Sequence, residues 1–419
     1  MLITLKSDRS LTNRAFQSYK LNSDPEQQPT VHSLDLPAPS LLTRGKLNTA
    51  NQLQVIAYCF QMNCLTTNPF RWAEAVYFDD KHALWKINAS DKENFVEKII
   101  DPIPQLDDVS FPSVGYLTEN KIVVLRGNTD KLEIFDDETL EAEVAIPEHL
   151  KNGFLQIVAC RCGEGSGYWI ALLQIIPGEK IHFKIHILRL QQGNLSVTAS
   201  YESLTRPLLV HLYRDGIAIG SGTIFVPSTS PTKDQENLDE GGEIPETAAH
   251  GIEYGKSDQP PNDDPNSMVI VKYSFETGNE QWRTEPVTYI GPFIDRAYPD
   301  KHFDGVAFAA KSSHDAAAFI ITAGPAPTAA HVKSFDALNF VQSGKQDRRY
   351  TIFLPDYSLI VESSKHIYFY KARVTEKACP TLPQFLVQLD SDERIQGYAL
   401  LFPHLLTVIS RSKCYLLHL

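Results

Sequence analysis

The sequence lacks helical periodicity. No stretch of its 419 residues carries apolar side chains at i, i+3, i+4 and i+7 over several turns, so helix is at most a minor component. It also lacks an unbroken apolar run of the ~20 residues that a bilayer-spanning helix needs, and no membrane span is expected. Lys6, Asp8 and Arg9 leave no apolar core for a secretory leader, and the expected localisation is cytoplasmic and nuclear. Basic charge is scarce. Lys and Arg number 39 against 51 Asp and Glu, a net charge of −12, which is a poor match for a phosphate backbone, and no nucleic-acid partner is expected. Cysteine is sparse too. The six residues at 59, 64, 160, 162, 379 and 414 include no CxxC pair and read as free thiols of a reducing compartment.

The sequences that announce chemistry are equally scarce. No GxxxxGK[ST], HExxH or GxSxG occurs. Gly163-Glu164-Gly165-Ser166-Gly167 is rich in glycine, but it lacks the lysine, and strand-like Tyr168-Trp169-Ile170 follows where a phosphate cradle needs a helix start. It reads as a hairpin turn. His182 and His186 share a strand face, and Cys160 and Cys162 could complete a metal site. The competing reading, that all four decorate or fill a sheet, is preferred. The pairs Asp107-Asp108, Asp136-Asp137 and Asp263-Asp264 sit in turns, where adjacent carboxylates point apart into water. The sequons at Asn88 and Asn194 read as chance matches. No catalytic residue, metal ligand or cofactor is assigned, and the chain is expected not to be an enzyme. Two weaker candidates remain. Lys345, Arg348 and Arg349 form a basic cluster in an inter-strand loop that could meet an acidic partner. Ser230, before Pro231, is a candidate for proline-directed phosphorylation.

Short β-hairpins fill the sequence. Runs rich in Val, Ile, Phe, Tyr and Leu alternate with tight polar turns: 75–78 with 83–87, 121–125 with 131–135, 168–176 with 181–190, 216–220 with 223–226, a strand at 269–275, then 350–354 with 358–362 and 366–370, and 405–410 with 414–419. Closing strands near Ile87, Phe135, Leu188, Phe225, Tyr273, Phe369 and Leu416 stand mostly 37 to 53 residues apart. The one long gap, of 96 residues, leaves room for another unit near 316–332. Four-stranded propeller blades recur at ~40–45 residues and bury both faces of their inner strands. A β-sandwich domain stops near ~100 residues, so this length would need several. The spacing predicts an all-β, WD40-like β-propeller of seven blades.

One segment departs from the pattern. Residues 228–267 carry ten carboxylates against Lys233 and Lys256, with few apolar side chains, and hold two-thirds of the net charge. Such a composition cannot offset the entropy of ordering, and an acidic disordered insertion is expected. The expected organisation is therefore 1–50 lending a strand to ring closure, 51–227 as the first part of the propeller, 228–267 as the insertion, and 268–419 as the second part.

Two stretches go beyond pattern. Ser334-Phe335-Asp336-Ala337-Leu338-Asn339-Phe340, running on through Gly344-Lys345-Gln346-Asp347-Arg348-Arg349-Tyr350 to Ile367-Tyr368-Phe369-Tyr370, resembles the C-terminal region of the NudC domain-containing protein 1 family. Asn13-Arg14-Ala15-Phe16-Gln17-Ser18-Tyr19-Lys20-Leu21 is similar to the opening of that family, as are Ala75-Val76-Tyr77-Phe78-Asp79 and 395–419. The resemblance implies a propeller with a CS/NudC domain inserted in one loop, and a co-chaperone-like protein that associates with WD-repeat propellers and Hsp90-linked machinery. The sequence departs from the family where that domain belongs. The acidic stretch 228–267 is too short and too polar for a β-sandwich. The part that carries over is partner binding by the propeller. The rival expectations are an architectural subunit of a transport or coat complex and, behind it, a propeller enzyme with a site in the central channel.

Overall fold

The computed structural model describes residues 32–41, most of 65–228, 267–284 and most of 396–417 with their side chains, and the backbone of further strands at 17–19 and between 287 and 395. The strands in chain order are β1 (Gln17–Tyr19), β2 (Val31–Asp35), β3 (Leu65–Thr67), β4 (Glu74–Phe78), β5 (Leu84–Asn88), β6 (Val96–Ile100), β7 (Ser113–Tyr116), β8 (Lys121–Leu125), β9 (Lys131–Asp136) and β10 (Thr139–Ala145). A 3-10 turn, Glu148–Leu150, precedes β11 (Phe154–Cys162), β12 (Gly167–Ile176), β13 (His182–Gln191), β14 (Asn194–Ser203), β15 (Pro207–Leu212), β16 (Gly216–Ser221), β17 (Val226–Pro227), β18 (Ser267–Ser274), β19 (Glu280–Arg283) and β20 (Val287–Pro292). The remainder are β21 (Val306–Ser312), β22 (Ala318–Ala323), β23 (Ala330–Phe335), β24 (Arg348–Phe353), β25 (Leu359–Ser363), β26 (His366–Tyr370), β27 (Phe385–Gln388), β28 (Gly397–Leu401), β29 (Leu405–Ile409) and β30 (Lys413–His418). No helix among the described residues is long and apolar enough to cross a membrane.

These strands form antiparallel meanders in series: β3 to β6, β7 to β10, β11 to β14, and β24 to β27. An eight-stranded sheet joins two more, β15-β16-β18-β19 and β20 to β23, through a short pairing of Ser267 with Thr288 and Met268 with Val287. The last sheet takes strands from both ends of the chain, in the order β1-β2-β30-β29-β28. There Val31 pairs with Leu417 and Asp35 with Lys413. Ser40 then donates its hydroxyl to Ser410 O at 2.7 Å, while Arg411 donates to Ser40 O at 2.7 Å and pairs with Asp80 in the β4–β5 turn. The sheet of the two termini is thereby fastened to the first meander.

The core lies between successive sheets. Along β12, Ile170 and Leu172 pack with Val123, Leu125 and Leu132 of the preceding sheet. Their neighbours Ala171, Leu173 and Ile175 pack with Ile217, Val271 and Tyr273 of the following sheet. β4 divides its side chains in the same way, Ala75 and Tyr77 toward the terminal sheet and Val76 and Phe78 toward β7–β10. A strand buried on both faces reads as a continuous apolar run, and β16 and β18 are buried at every position. The outer β10 alternates with water instead and is exposed at Glu141, Glu143 and Ala145. First strands of neighbouring sheets lie side by side: β28 by β3, β7 by β11, β11 by β15, and β20 by β24.

Local chemistry fixes the turns. Asp79 Oδ1 accepts from the amides of Lys81 (2.8 Å) and Ala83 (3.0 Å), and Oδ2 accepts from Trp85 Nε1 (3.0 Å). The β13–β14 link is a two-residue turn with positive φ at both Gln192 (51°) and Gly193 (76°), the twist that suits a hairpin. The structure corrects one hairpin expected from the sequence. β16 does not pair with residues 223–226. It pairs with β18, far along the chain, and β17 joins the edge of β14. The reason is a polar corner: Thr223 hydrogen-bonds Thr205 and Ser203, and the Ser221 hydroxyl reaches Thr223 O, which swings the chain toward the preceding sheet and buries Phe225. Residues 229–266, which hold the expected acidic insertion, lie outside the described residues.

Candidate interaction surface

Two polar networks are buried, and both have their partners inside the protein. Arg126 binds Glu133 through two contacts, Nε–Oε2 at 2.7 Å and Nη2–Oε1 at 3.1 Å, and donates to His82 O at 3.3 Å and Asp101 O at 2.5 Å. It thus ties the second meander to the first. Burial, with Arg126 adding to it against Asp79 and Asp80, pushes His82 down to about 4. In the third meander His186 lies between Ser200 (2.8 Å) and Gln174 (2.9 Å), and Gln174 donates to Leu150 O and Asn152 O. Burial lowers His186 to about 4 as well. Both imidazoles are neutral at pH 7 and serve the packing.

The seam between the third meander and β15-β16-β18 is built differently. Arg161 on β11 pairs across to Trp169 on β12, which pairs across to Arg189 on β13. Directly opposed residues share a sheet face, so the three stand in a row. The Trp169 ring stacks on Phe275 at 4.5 Å between centroids with 22° between planes, and the Arg189 guanidinium carbon lies 5.6 Å from the Trp169 ring centre. Arg161 reaches over the seam to donate to Leu212 O at 3.1 Å. Arg189 is exposed and, among the described residues, makes no ion pair. Several other surface cations face carboxylates. Arg71 stands near Glu74, Glu119 and Asp137, and Lys86 lies 2.6 Å from Glu97 and 3.7 Å from Glu138. Trp and Arg are two of the residue types enriched among those that dominate binding between proteins.

β18 carries Lys272 between Val271 and Tyr273. It is wholly buried, its ammonium 2.7 Å from Asp215 Oδ1 and 4.5 Å from the Tyr213 ring centre. Burial alone raises the Asp215 carboxyl. The hydrogen bond and charge of Lys272, helped by Gln281, outweigh that and hold it below the usual carboxylate range. The pair secures the β15–β16 turn to β18.

The residues singled out in the sequence fall apart in space or outside the described structure. Ser230 and Lys345 lie outside the described residues. Arg348 and Arg349 occupy the first two positions of β24, with Arg348 opposite Ser363, so this part of the basic cluster belongs to a strand where a loop was expected. Cys160 and Cys162 on β11 are separated from His182 and His186 on β13 by β12, and among the described residues no group of His, Cys, Asp and Glu is placed to hold a metal. Cys160 packs against Gly115 of the preceding sheet, and burial pushes its thiol well above the usual range. The row Arg161, Trp169 and Arg189 was not singled out, because only the strand register makes these three residues neighbours.

No family model matches the sequence, and no curated protein matches it. Among solved structures, the chain is similar to the WD40 domain of SCAP from fission yeast, with 8% identity and a TM-score of 0.41 over 84% of this chain and 94% of that one. It is also similar to an acylaminoacyl peptidase from Pyrococcus horikoshii, with 10% identity and a TM-score of 0.40, over 96% of this chain and about half, 51%, of the peptidase.

Proposed function

We propose that the chain is a seven-bladed β-propeller that works by binding other proteins and carries out no chemistry of its own. Seven units are obtained when the eight-stranded sheet is divided at its two-residue junction into two meanders of four. Face-to-face packing of successive sheets, side-by-side first strands and a sheet shared by both termini support ring closure, which leaves only short, protected sheet edges at the axis. The single observation that carries the binding function is the exposed Arg189 on Trp169 and Phe275, a cationic and aromatic cluster without a carboxylate in a protein of net charge −12. The partners are WD-repeat propellers and Hsp90-linked chaperones, and the mode is co-chaperone-like. That assignment rests on the resemblance of residues 13–21 and 334–370 to the NudC domain-containing protein 1 family. The site of action is the cytoplasm and nucleus.

Affinity purification of the tagged full chain, with mass spectrometry, tests this. WD-repeat proteins and chaperone subunits should be enriched, and Arg189→Glu should deplete part of the set without lowering the yield of the bait. A single stoichiometric complex without chaperones would replace the reading by an architectural one. Recovery of the bait alone would refute protein binding.

A further inference from the structure

The third meander presents a long outer edge that is uncharged over 194–199. β14 has ten residues, and β17 covers it at two positions only, with Tyr201 opposite Pro227 and Glu202 opposite Val226. The Ser228 amide adds one more bond, to Ser200 O at 2.8 Å. Along 194–199 no further strand lies beside the outer side of β14 among the described residues. This stretch reads Asn194-Leu195-Ser196-Val197-Thr198-Ala199, with no charge and no proline. Three other outer strands carry such guards, Glu97 and Lys98 in β6, Glu141 and Glu143 in β10, and Glu280 and Arg283 in β19, while the four-residue outer strand β27 is uncharged like this stretch but much shorter than β14. Charges on edge strands discourage further pairing, and an edge without them is a template for an added strand.

We propose that this edge binds an extended segment of a partner protein as an added antiparallel strand that continues the line of β17, and that the segment alternates carboxylates with β-branched apolar residues. The proposal rests on the protein-binding reading above and names one of its sites. Main-chain bonds give such a complex its affinity and alternate side chains its selectivity. The alternation follows from the register. Ser196 is exposed and lies opposite Arg189, so a guest residue opposite Ser196 shares the face of Arg189 from two strands away, ~9.6 Å between backbones. An arginine and a glutamate side chain together cover that distance, with the small Ser196 between them. Guest residues to either side fall on the opposite face, where Leu195 and Val197 pack against the core between the second and third sheets. The chain's own continuation is less suited, since position 231 is a proline and has no amide hydrogen for a ladder.

Hydrogen–deuterium exchange of the full chain, with and without a short synthetic peptide of alternating Glu and Val, tests the proposal. The amides of 194–199 that point away from β13 should exchange fast in the free protein and roughly tenfold more slowly with peptide at ~1 mM. The same peptide with Lys in place of Glu should protect less, and Arg189→Glu should reverse that order. Thr198→Pro should abolish protection while the melting temperature of the protein stays close to that of the wild type. If Thr198→Pro does not fold, the Arg189→Glu comparison decides alone. Slow exchange of those outward amides in the free protein means that the chain fills its own edge and overturns the proposal. Protection by neither peptide, or equally by both, overturns it as well. These failures with co-purification intact remove this edge only. Loss of co-purification removes the function itself.

Discussion

Between pH 7.5 and pH 5 the protein should lose stability through two imidazoles, and His186 allows the effect to be isolated. Its tautomer follows from its neighbours. The amide nitrogen of Gln174 is committed to Leu150 O and Asn152 O, so its Oε1 faces the ring and Nε2 carries the hydrogen. Nδ1 then accepts from the Ser200 hydroxyl. A second proton on Nδ1 would make the Ser200 oxygen its acceptor and leave the hydroxyl hydrogen in need of a new partner in a site only 4% exposed, and burial, aided by Lys184 and His149, lowers the group from 6.5 to about 4. Between those two values the unfolded chain binds the extra proton and the folded one does not. Stability is therefore complete well above pH 6.5, falls as the pH drops through that value, and reaches its floor below about 4. The full gap corresponds to roughly 3 kcal/mol, of which about 2 kcal/mol is lost by pH 5. His82, also lowered to about 4, adds a similar loss over the same window. Urea unfolding followed by tryptophan fluorescence at several pH values should show both losses in the wild type. His186→Gln cannot titrate, so its stability should fall by about half as much over that range, whatever its stability at pH 7.5. Parallel pH curves for the two proteins would refute the reasoning.

Glu133→Ala leaves the buried Arg126 without its carboxylate and should cost about 3–5 kcal/mol in urea unfolding, whereas replacing both partners by apolar residues should cost less. At Gly115 a Cβ would sit 2.1 Å from Cys160 Sγ and 3.1 Å from Ile157 Cγ2, so Gly115→Ala should destabilise by about 1–3 kcal/mol. Adding Cys160→Ala should recover part of that loss, as read from melting temperatures. A double-mutant cycle on Trp169→Ala and Phe275→Ala should give a coupling of about 0.5–1.5 kcal/mol, and a value near zero would show that the two rings stack without stabilising the seam.

What the sequence made legible was local. The hairpins at 75–87, 121–135 and 405–419 stand where apolar runs and turn residues put them, because each strand meets its partner after a few residues. The failure at 216–226 has the opposite cause. β16 has one partner in the adjacent β15 and the other beyond residues 229–266, and no local pattern reports a pairing across that distance. Register was hidden for the same reason. Arg161, Trp169 and Arg189 are separated in sequence by 8 and 20 positions, and only the pairing of β11, β12 and β13 makes them one surface. The basic cluster at 345–349 shows the converse: neighbours in sequence, two of them on a strand, whose contiguity says little about a shared surface.

The third meander brings these threads together. Its strands are the longest among the described residues, nine to ten residues each, against three to seven in the two meanders before it. The length beyond what the neighbouring sheets cover has consequences at both ends. At one, Trp169 and Arg189 extend past the buried row of Ile185 and Ile187 and form the exposed part of the seam with Phe275. At the outer side, β14 extends past the two residues of β17 and keeps a stretch without charge. Buried His186 ties β13 to β12 through Gln174 and to β14 through Ser200, one register shift away from the Arg189–Ser196 pair in the same two strands. Protonation of that network should therefore weaken both the sheet and any strand added to it. In the folded protein that proton binds only near pH 4, so peptide protection at 194–199 should hold from pH 6.5 to pH 5, decline as the pH falls toward about 4 in the wild type and decline less in His186→Gln, a comparison that a binding site elsewhere on the protein would not reproduce.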